Sequence, residues 1–211
     1  MIDIHSHILP EIDDGSRNIE ETIAMITEAY KNGITAIIAT SHYMEGTYEV
    51  NKNKREEMVN ILQEILTIKE LPVKIYIGAE AYILPNLAKK IKNNEIPTLN
   101  NSKYLLFELP MNTPYLNLYN EIKHIKDLKI VPILAHPERY SYIRNDIHKL
   151  YELVDNGVLL QCNIGSFVER YGKDAKNFVT KLAKENLINF IASDCHRQDS
   201  IYSDLEKIQK K

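Results

Sequence analysis

Two histidines near the start of the chain have the spacing of a shared metal site. His5 and His7 follow two isoleucines, Ile2 and Ile4, in the alternating pattern of a short β-strand. On a strand, residues two positions apart point to the same side, so both imidazoles can bind one ion. An acidic segment, residues 11–15, follows at once. A His-x-His pair is a weak signal by itself, because histidine pairs also occur on protein surfaces.

Residues that commonly bind metal ions recur at the ends of predicted strands along the chain. Polar loops explain acidic residues at such places, but they do not explain five of the seven histidines. In parallel α/β folds the carboxyl ends of the strands meet on one face, where binding sites lie. The pattern therefore favours a metal site. Six of seven predicted strands contribute to it, with His5 and His7, His42, Glu80, Glu108, His136, and Asp194 with His196.

Two carboxylates strengthen this interpretation. Glu80 and Glu108 each follow an apolar run, and neither has a lysine or arginine beside it in the sequence. A buried carboxylate is costly unless a positive group pairs with it, and a divalent cation is the natural partner. With Asp14 the candidates number nine, too many for one ion, so two or three ions are expected. Imidazole and carboxylate ligands without thiolate indicate Mn, Fe, Zn or Mg.

The elements that position these residues alternate between helical and strand patterns. Short strands separated by helices predict parallel βαβ units, an α/β fold in one domain over residues 1–211. A twisted open sheet and a barrel both fit this periodicity. The tail, residues 203–211, is predicted to form a short helix. The predicted strands are the opening segment and residues 35–40, 73–79, 103–109, 130–135, 158–162 and 187–192.

Composition narrows the function classes. The 211 residues are 44% hydrophobic and 26% charged, as in an ordinary globular domain, and the net charge of −3 offers no basic surface for nucleic acid. No apolar run reaches membrane-spanning length and no signal segment opens the chain, so membrane insertion is not expected. Two cysteines cannot form a disulfide framework, which favours a cytoplasmic protein.

A thiol-based phosphatase mechanism finds no support in the sequence. Such enzymes carry an arginine six positions after the catalytic cysteine, whereas Cys162 and Cys195 are followed there by Val168 and Ile201. Both cysteines are expected to be buried structural residues.

One arginine has the position of a phosphate ligand. Arg139 lies three residues after His136, at the rim of the proposed site. Its guanidinium could bind a phosphate through two hydrogen bonds while metal ions hold the other oxygens. The alternative is an ion pair with Glu138 or with the acidic loop.

At these residues the sequence resembles the polymerase-and-histidinol-phosphatase (PHP) superfamily of metal-dependent phosphoesterases. Within it, the chain is most similar to the bacterial manganese-dependent protein tyrosine phosphatases of capsule and exopolysaccharide loci. The resemblance extends in order over almost the whole chain. It rests on residues 5–10, 13–15, 39–42, 78–80, 107–108, 135–140 and 193–196.

The resemblance implies a distorted (β/α)7 TIM-like barrel of the PHP type with a three-metal centre, expected to contain Mn²⁺. It also implies a phosphotyrosine protein as substrate, the tyrosine-rich tail of a bacterial tyrosine autokinase, and hence a role in polysaccharide export. A homo-oligomer is an open alternative to a monomer. The implied ligand sets are His5, His7, Glu80 and Asp194 for one ion, Glu80, Glu108 and His136 for a second, and Asp14, His42 and His196 for the third.

Two departures from the family pattern bear on the substrate. Tyr43 stands where the family usually has a second histidine after His42, and it becomes a candidate for stacking on a substrate ring. The family also tends to carry an arginine beyond the final Asp-x-His, where only Arg197 is available here. Arg139, Arg197 and Tyr43 are therefore the predicted substrate contacts.

The expected reaction is direct hydrolysis of a phosphomonoester by water that the cations activate. Arg139 would neutralise the phosphoryl oxygens, and His42 is a candidate proton donor to the leaving group. Three alternatives remain open: a small-molecule phosphatase such as histidinol phosphatase, an amidohydrolase-type metal enzyme, and a non-catalytic metal-binding module. The amidohydrolase type would need a further histidine on the sixth strand, where the chain has Cys162 and Asn163.

Overall fold

The computed structural model describes residues 1–199 and 201–209, and parallel strands alternate with helices along this part of the chain. The α/β prediction is confirmed. The strands are β1 Ile2–Ser6, β2 Ala36–Ala39, β3 His42–Tyr43, β4 Lys74–Ile77, β5 Glu80–Tyr82, β6 Tyr104–Glu108, β7 Val131–Ala135, β8 Leu159–Asn163 and β9 Phe190–Ala192.

Helices occupy the connections, as the apolar spacing predicts. Short 3₁₀ turns lie at Leu99–Asn101, Pro137–Arg139 and Tyr202–Asp204. The predicted terminal helix is present as α9, and its last two predicted residues, 210 and 211, lie outside the described residues. The helices are α1 Ile19–Lys31, α2 Lys52–Ile68, α3 Leu87–Lys92, α4 Leu118–Asp127, α5 Ser141–Asn145, α6 His148–Asp155, α7 Ile164–Phe167, α8 Gly172–Lys184 and α9 Leu205–Gln209. Within the described residues no helix is long and apolar enough to cross a membrane.

Two short strands that the sequence did not predict, β3 and β5, follow the second and third predicted strands. The strands form two parallel sheets, β1-β2-β4 and β3-β5-β6-β7-β8-β9, so that β3 follows β2 and β5 follows β4 after two residues. The break after β4 falls at Gly78, where a Cβ atom would lie 2.7 Å from Cγ2 of Ile38. The apolar pattern did not predict β3 and β5, because strands of two and three residues are too short to show a periodicity.

Backbone hydrogen bonds connect the two sheets to each other, and they also connect β1 with the segment that follows β9. The Glu80 amide donates to the Thr40 carbonyl at 2.9 Å, which carries the β2–β4 pairing across the break. The Asp194 amide donates to the His5 carbonyl at 2.8 Å, and the His7 amide donates to the Cys195 carbonyl at 2.9 Å. The first and last strands therefore meet next to the residues proposed to bind metal.

An apolar layer lies directly below the site. It consists of Ile38, Leu99, Leu106, Ile133 and Ala135, all buried. Leu106 and Glu108 are two positions apart on β6 and face the same side of the sheet, so the layer continues into the acidic site. Two larger cores pack the helices against the outer faces of the strands.

A fully buried arginine connects α2 to the segment that carries His42. The Arg55 guanidinium donates to the carbonyl oxygens of Val50, Ser41 and His42 at 2.8, 2.7 and 2.7 Å. Burial lowers the pKa of Arg55 to about 10, and the nearby Asp13 carboxylate opposes that shift.

We expect Arg55→Met to lower the free energy of unfolding by about 3 kcal/mol, because it removes three hydrogen bonds from a charged donor in the interior. Urea unfolding followed by circular dichroism measures the change. Lys54→Met is the matched control, since the Lys54 side chain is exposed and pairs only with Glu57 at the surface. Equal midpoints for the two variants would contradict the role assigned to Arg55.

Candidate metal centre

The nine residues predicted to bind metal come together at one end of the strands. His5 lies on β1, and His7 is the first residue after that strand. His42 is the first residue of β3, Glu80 is the first residue of β5, and Glu108 is the last residue of β6. His136 follows β7, and Asp194 and His196 follow β9. A cleft of about 380 Å³ opens over them. It is lined by Asp14, His42, Glu80, Glu108, Met111, His136, Arg139, Tyr171, Asp194, His196, Arg197 and Asp199.

The ligand atoms form three overlapping groups. In each group the atoms lie within 4.8 Å of one another. The first group named below has the same members as the first ligand set that the resemblance implies. The second group contains His42 where the resemblance implies His136. The third group contains His7 in addition to the residues that the resemblance implies. The groups are His5, His7, Glu80 and Asp194; His42, Glu80 and Glu108; and His7, Asp14, His42 and His196.

Glu80 lies at the centre of the cluster. Its Oε2 atom is 3.1 Å from His5 Nε2, 3.3 Å from His7 Nε2 and 3.1 Å from His42 Nδ1. Its Oε1 atom is 2.8 Å from Nε2 of His136. The carboxylate is fully buried, so one acidic group is shared by four imidazoles.

Several buried polar atoms in the cluster have no hydrogen-bond partner among the described residues. They include Glu80 Oε2, Glu108 Oε1, Asp194 Oδ1 and His42 Nδ1. Leaving such atoms unsatisfied is costly, and they face one another at distances that a cation between them would use. The donor set contains imidazole and carboxylate groups without thiolate, which suits a divalent cation of the Mn, Fe, Zn or Mg type. The residues therefore fit a bound metal ion.

The electrostatics of the cluster also require positive charge. Burial alone would lower the pKa of His5, but the Glu80 and Asp194 carboxylates outweigh it and raise the pKa to about 10. Burial likewise opposes a rise at His42, where Glu80 and Glu108 bring the pKa to about 10. Burial would raise the pKa of Glu80, yet His5 and His42 hold it well below its usual value. Without a metal, protons on the imidazoles balance the carboxylates; with one, the cation replaces them.

Both ring nitrogens of His42 face carboxylates. Nδ1 lies 3.0 Å from Glu108 Oε1, and Nε2 lies 3.5 Å from Asp14 Oδ1. This geometry favours His42 as a metal ligand, and the proton-donor role predicted for it stays a prediction.

Hydrogen bonds from residues not singled out in the sequence orient the ligands. Gln161 Oε1 accepts from His5 Nδ1 at 2.7 Å, which leaves His5 Nε2 directed at the carboxylates. Gln161 donates to Asn163 Oδ1 at 2.9 Å, and Asn163 donates to Asp194 Oδ2 at 2.7 Å. Asp13 accepts from Nδ1 of His7 at 2.8 Å. The sequence signal that could have identified Gln161 and Asn163 is their spacing, since they are two polar residues, two positions apart, in an otherwise apolar strand.

The three predicted substrate contacts differ in position. Arg139 lines the cleft, donates from Nη1 to Asp194 Oδ2 at 3.0 Å and has a side chain 30% exposed. Arg197 also lines the cleft, and its Nη1 donates to the carbonyls of Gly15 and His196. Tyr43 is 4% exposed and packs in the core. Since His42 faces the site, the next residue on the strand faces away from it, and the predicted stacking role of Tyr43 finds no support.

A family model described as capsular polysaccharide synthesis, CpsB/CapC, matches residues 1–211. The chain belongs to the CpsB/CapC family. The tyrosine-protein phosphatase CpsB of Streptococcus pneumoniae is 37% identical over 208 residues, which cover 95% of this chain and 84% of that protein.

Solved structures extend the comparison. Crystal structures of YwqE from Bacillus subtilis and CpsB from Streptococcus pneumoniae are described as those of unique metal-dependent tyrosine phosphatases. One such chain matches this CpsB/CapC member with a TM-score of 0.94 and 32% identity over 100% of this chain and 87% of that one. A histidinol phosphate phosphatase from Lactococcus lactis, solved with zinc, L-histidinol and phosphate, matches with a TM-score of 0.66 and 15% identity over 99% and 91%. At that identity the likeness concerns the fold alone, and it agrees with the predicted TIM-like barrel of the PHP type.

We expect Gln161→Leu to weaken Mn²⁺ binding by about 10- to 100-fold, because His5 loses the acceptor that fixes its orientation. Titration of metal-free protein against a competing chelator measures the affinity. Gln63→Leu is the matched control: its side chain bonds to backbone groups of Val73 and Ile75, and Gln63 is not among the residues that line the cleft. Unchanged affinity in Gln161→Leu would show that the hydrogen bond does not orient the ligand.

Proposed function

We propose that this CpsB/CapC family member is a metal-dependent phosphoric monoester hydrolase that removes phosphate from tyrosine residues of proteins. The observation that carries the proposal is the fully buried Glu80 carboxylate, shared by four imidazoles beneath a cleft that an arginine also lines. The names of the relatives support tyrosine phosphate as the substrate class.

The nine clustered residues are the proposed ligands of two or three cations. His5, His7, Glu80 and Asp194 would hold one ion. His42, Glu80 and Glu108 would hold a second, with His136 bonded to Glu80 beside it. Asp14 and His196, with His7 and His42, would hold a third. The bound cations would lower the pKa of a water molecule and neutralise phosphoryl oxygens.

Arg139 is the proposed phosphate-binding residue. One of its nitrogens is fixed on Asp194, which leaves further N–H groups of the guanidinium to donate to phosphoryl oxygens in the cleft. A phenolate leaves readily, because the pKa of free tyrosine is about 10, so the reaction makes little demand on a general acid. This agrees with the ligand role of His42.

Three finer assignments belong to the same proposal. Mn²⁺ is the proposed cation, because the chain resembles manganese-dependent phosphatases and the mixed nitrogen and oxygen donors are compatible with this ion. The proposed substrate is the tyrosine-rich tail of a bacterial tyrosine autokinase, in keeping with the link of the family to capsular polysaccharide synthesis. Such a substrate would place the protein in the cytoplasm.

We expect Mn²⁺-loaded protein to hydrolyse a phosphotyrosine peptide, and we expect a chelator to abolish the activity because no cation is then present to lower the pKa of the attacking water or to neutralise the phosphoryl oxygens. Phosphate release measured on the peptide and on histidinol phosphate, with and without Mn²⁺, tests this. Activity on histidinol phosphate alone would assign a small-molecule phosphatase instead. No release from either substrate by fully metallated protein would favour a metal-binding module.

We expect Arg139→Ala to lower kcat/KM on the peptide by about 100-fold or more, with metal content unchanged, since a charge-assisted bond to the phosphoryl group is lost. Steady-state kinetics and elemental analysis measure both quantities. Arg17→Ala is the control, because Arg17 is exposed, pairs with Glu21 and is not among the residues that line the cleft. Loss of metal in Arg139→Ala would show that the arginine supports the metal centre instead.

A further inference from the structure

A tyrosine that sequence reasoning passed over lies beside the phosphate-binding arginine. Tyr171 occupies the turn between α7 and α8, lines the cleft and is 37% exposed. We propose that Tyr171 is a positioning residue that holds the Arg139 guanidinium in the orientation needed to bind phosphate. This inference rests on the proposed function, and it assigns to Tyr171 a role that acts through Arg139.

The first support is the contact between the two side chains. The Cζ atom of Arg139 lies over the Tyr171 ring, 4.8 Å from its centroid. A guanidinium at this distance from an aromatic face is held by the ring quadrupole. Nη1 of the same group donates to Asp194 Oδ2 at 3.0 Å. Two contacts from different directions therefore fix the guanidinium plane, which neither contact would do alone.

The second support is what lies around the Tyr171 ring. Gly165, on α7, packs so closely that a Cβ atom there would come within 3.0 Å of Tyr171 Cε2. The edge of the ring therefore lies against Gly165 of α7, which limits how far the ring can move in that direction. Burial and the nearby Asp194 carboxylate raise the pKa of Tyr171 to about 12, so the phenol stays neutral at physiological pH.

An ordered arginine matters for phosphate binding. Arginine has several rotatable bonds, and the entropy of fixing them is lost on binding unless the side chain is already held in place. Arg139 is partly exposed, and without Tyr171 the bond to Asp194 alone would hold its guanidinium. Prior positioning of the donor is what makes charge stabilisation effective in an active site.

A direct contact between Tyr171 and a substrate ring is the competing role. The Arg139 guanidinium already covers one face of the Tyr171 ring, and Gly165 lies against its edge. The two roles differ in what they predict for a ligand without any ring. If Tyr171 positions Arg139, loss of its ring weakens the binding of inorganic phosphate and of aryl phosphates alike. If Tyr171 stacks on the substrate, loss of its ring weakens the binding of aryl phosphates only.

The test measures by calorimetry the affinity of the Mn²⁺-loaded protein for inorganic phosphate. It also measures kcat and KM on a phosphotyrosine peptide. We expect Tyr171→Leu to weaken phosphate binding about tenfold and to lower kcat/KM by a similar factor. Tyr171→Phe keeps the ring and should remain within about twofold of the unaltered protein. Tyr30→Leu is the matched control, since Tyr30 is 40% exposed on α1.

The double variant Tyr171→Leu/Arg139→Ala decides whether the tyrosine acts through the arginine. We expect it to bind phosphate as weakly as Arg139→Ala alone, within about twofold, because coupled residues do not add. Additive losses would overturn the proposal. So would unchanged phosphate affinity in Tyr171→Leu, a Tyr171→Phe variant as weak as Tyr171→Leu, or loss of metal or of folding in Tyr171→Leu alone.

The phosphate measurement also separates this proposal from the proposed function. Absence of hydrolysis by the unaltered, fully metallated protein would refute the phosphatase assignment. The phosphate affinities of the same variants would still confirm or refute the coupling between Tyr171 and Arg139.

Discussion

The arrangement of the site depends on one buried carboxylate. Glu80 is fully buried at the start of β5, and four imidazoles converge on its two oxygen atoms. An acidic group there is tolerable only if positive charge surrounds it. Histidines supply that charge as imidazolium when protonated, and a divalent cation supplies it when bound. Glu108 Oε1 and Asp194 Oδ1 are also buried and have no hydrogen-bond partner among the described residues, so they require positive charge as well.

Strands and turns contribute different residues to the site. Apart from Asp14 and His196, the proposed metal ligands lie on strands or within two residues of strand ends. Backbone pairing holds these positions rigidly. Arg139 and Tyr171 come from the turns that follow β7 and α7. Rigid elements thus define the charge of the centre, while the turns around the cleft provide the contacts that would discriminate among phosphate esters.

Much of this could be predicted from the sequence, because the period of a strand determines the direction of its side chains. The spacing of His5 and His7 and the ligand-type residues after apolar runs located the cluster. Prediction failed where a tertiary detail decides. Residues 42 and 43 form the short strand β3, on which Tyr43 alternates with His42 and therefore faces the core. Tyr171 reaches Arg139 only through the packing of α7, which no local pattern reveals.

Anomalous diffraction at the manganese absorption edge, from crystals of the protein loaded with Mn²⁺, locates the cations relative to Glu80. We expect at least two anomalous peaks, each within about 2.5 Å of a Glu80 oxygen or of an imidazole that contacts it. At least one of these peaks should lie between Glu80 Oε2 and the nitrogens of His5 and His7. A single peak, or peaks that leave Glu80 without a cation, would contradict this expectation.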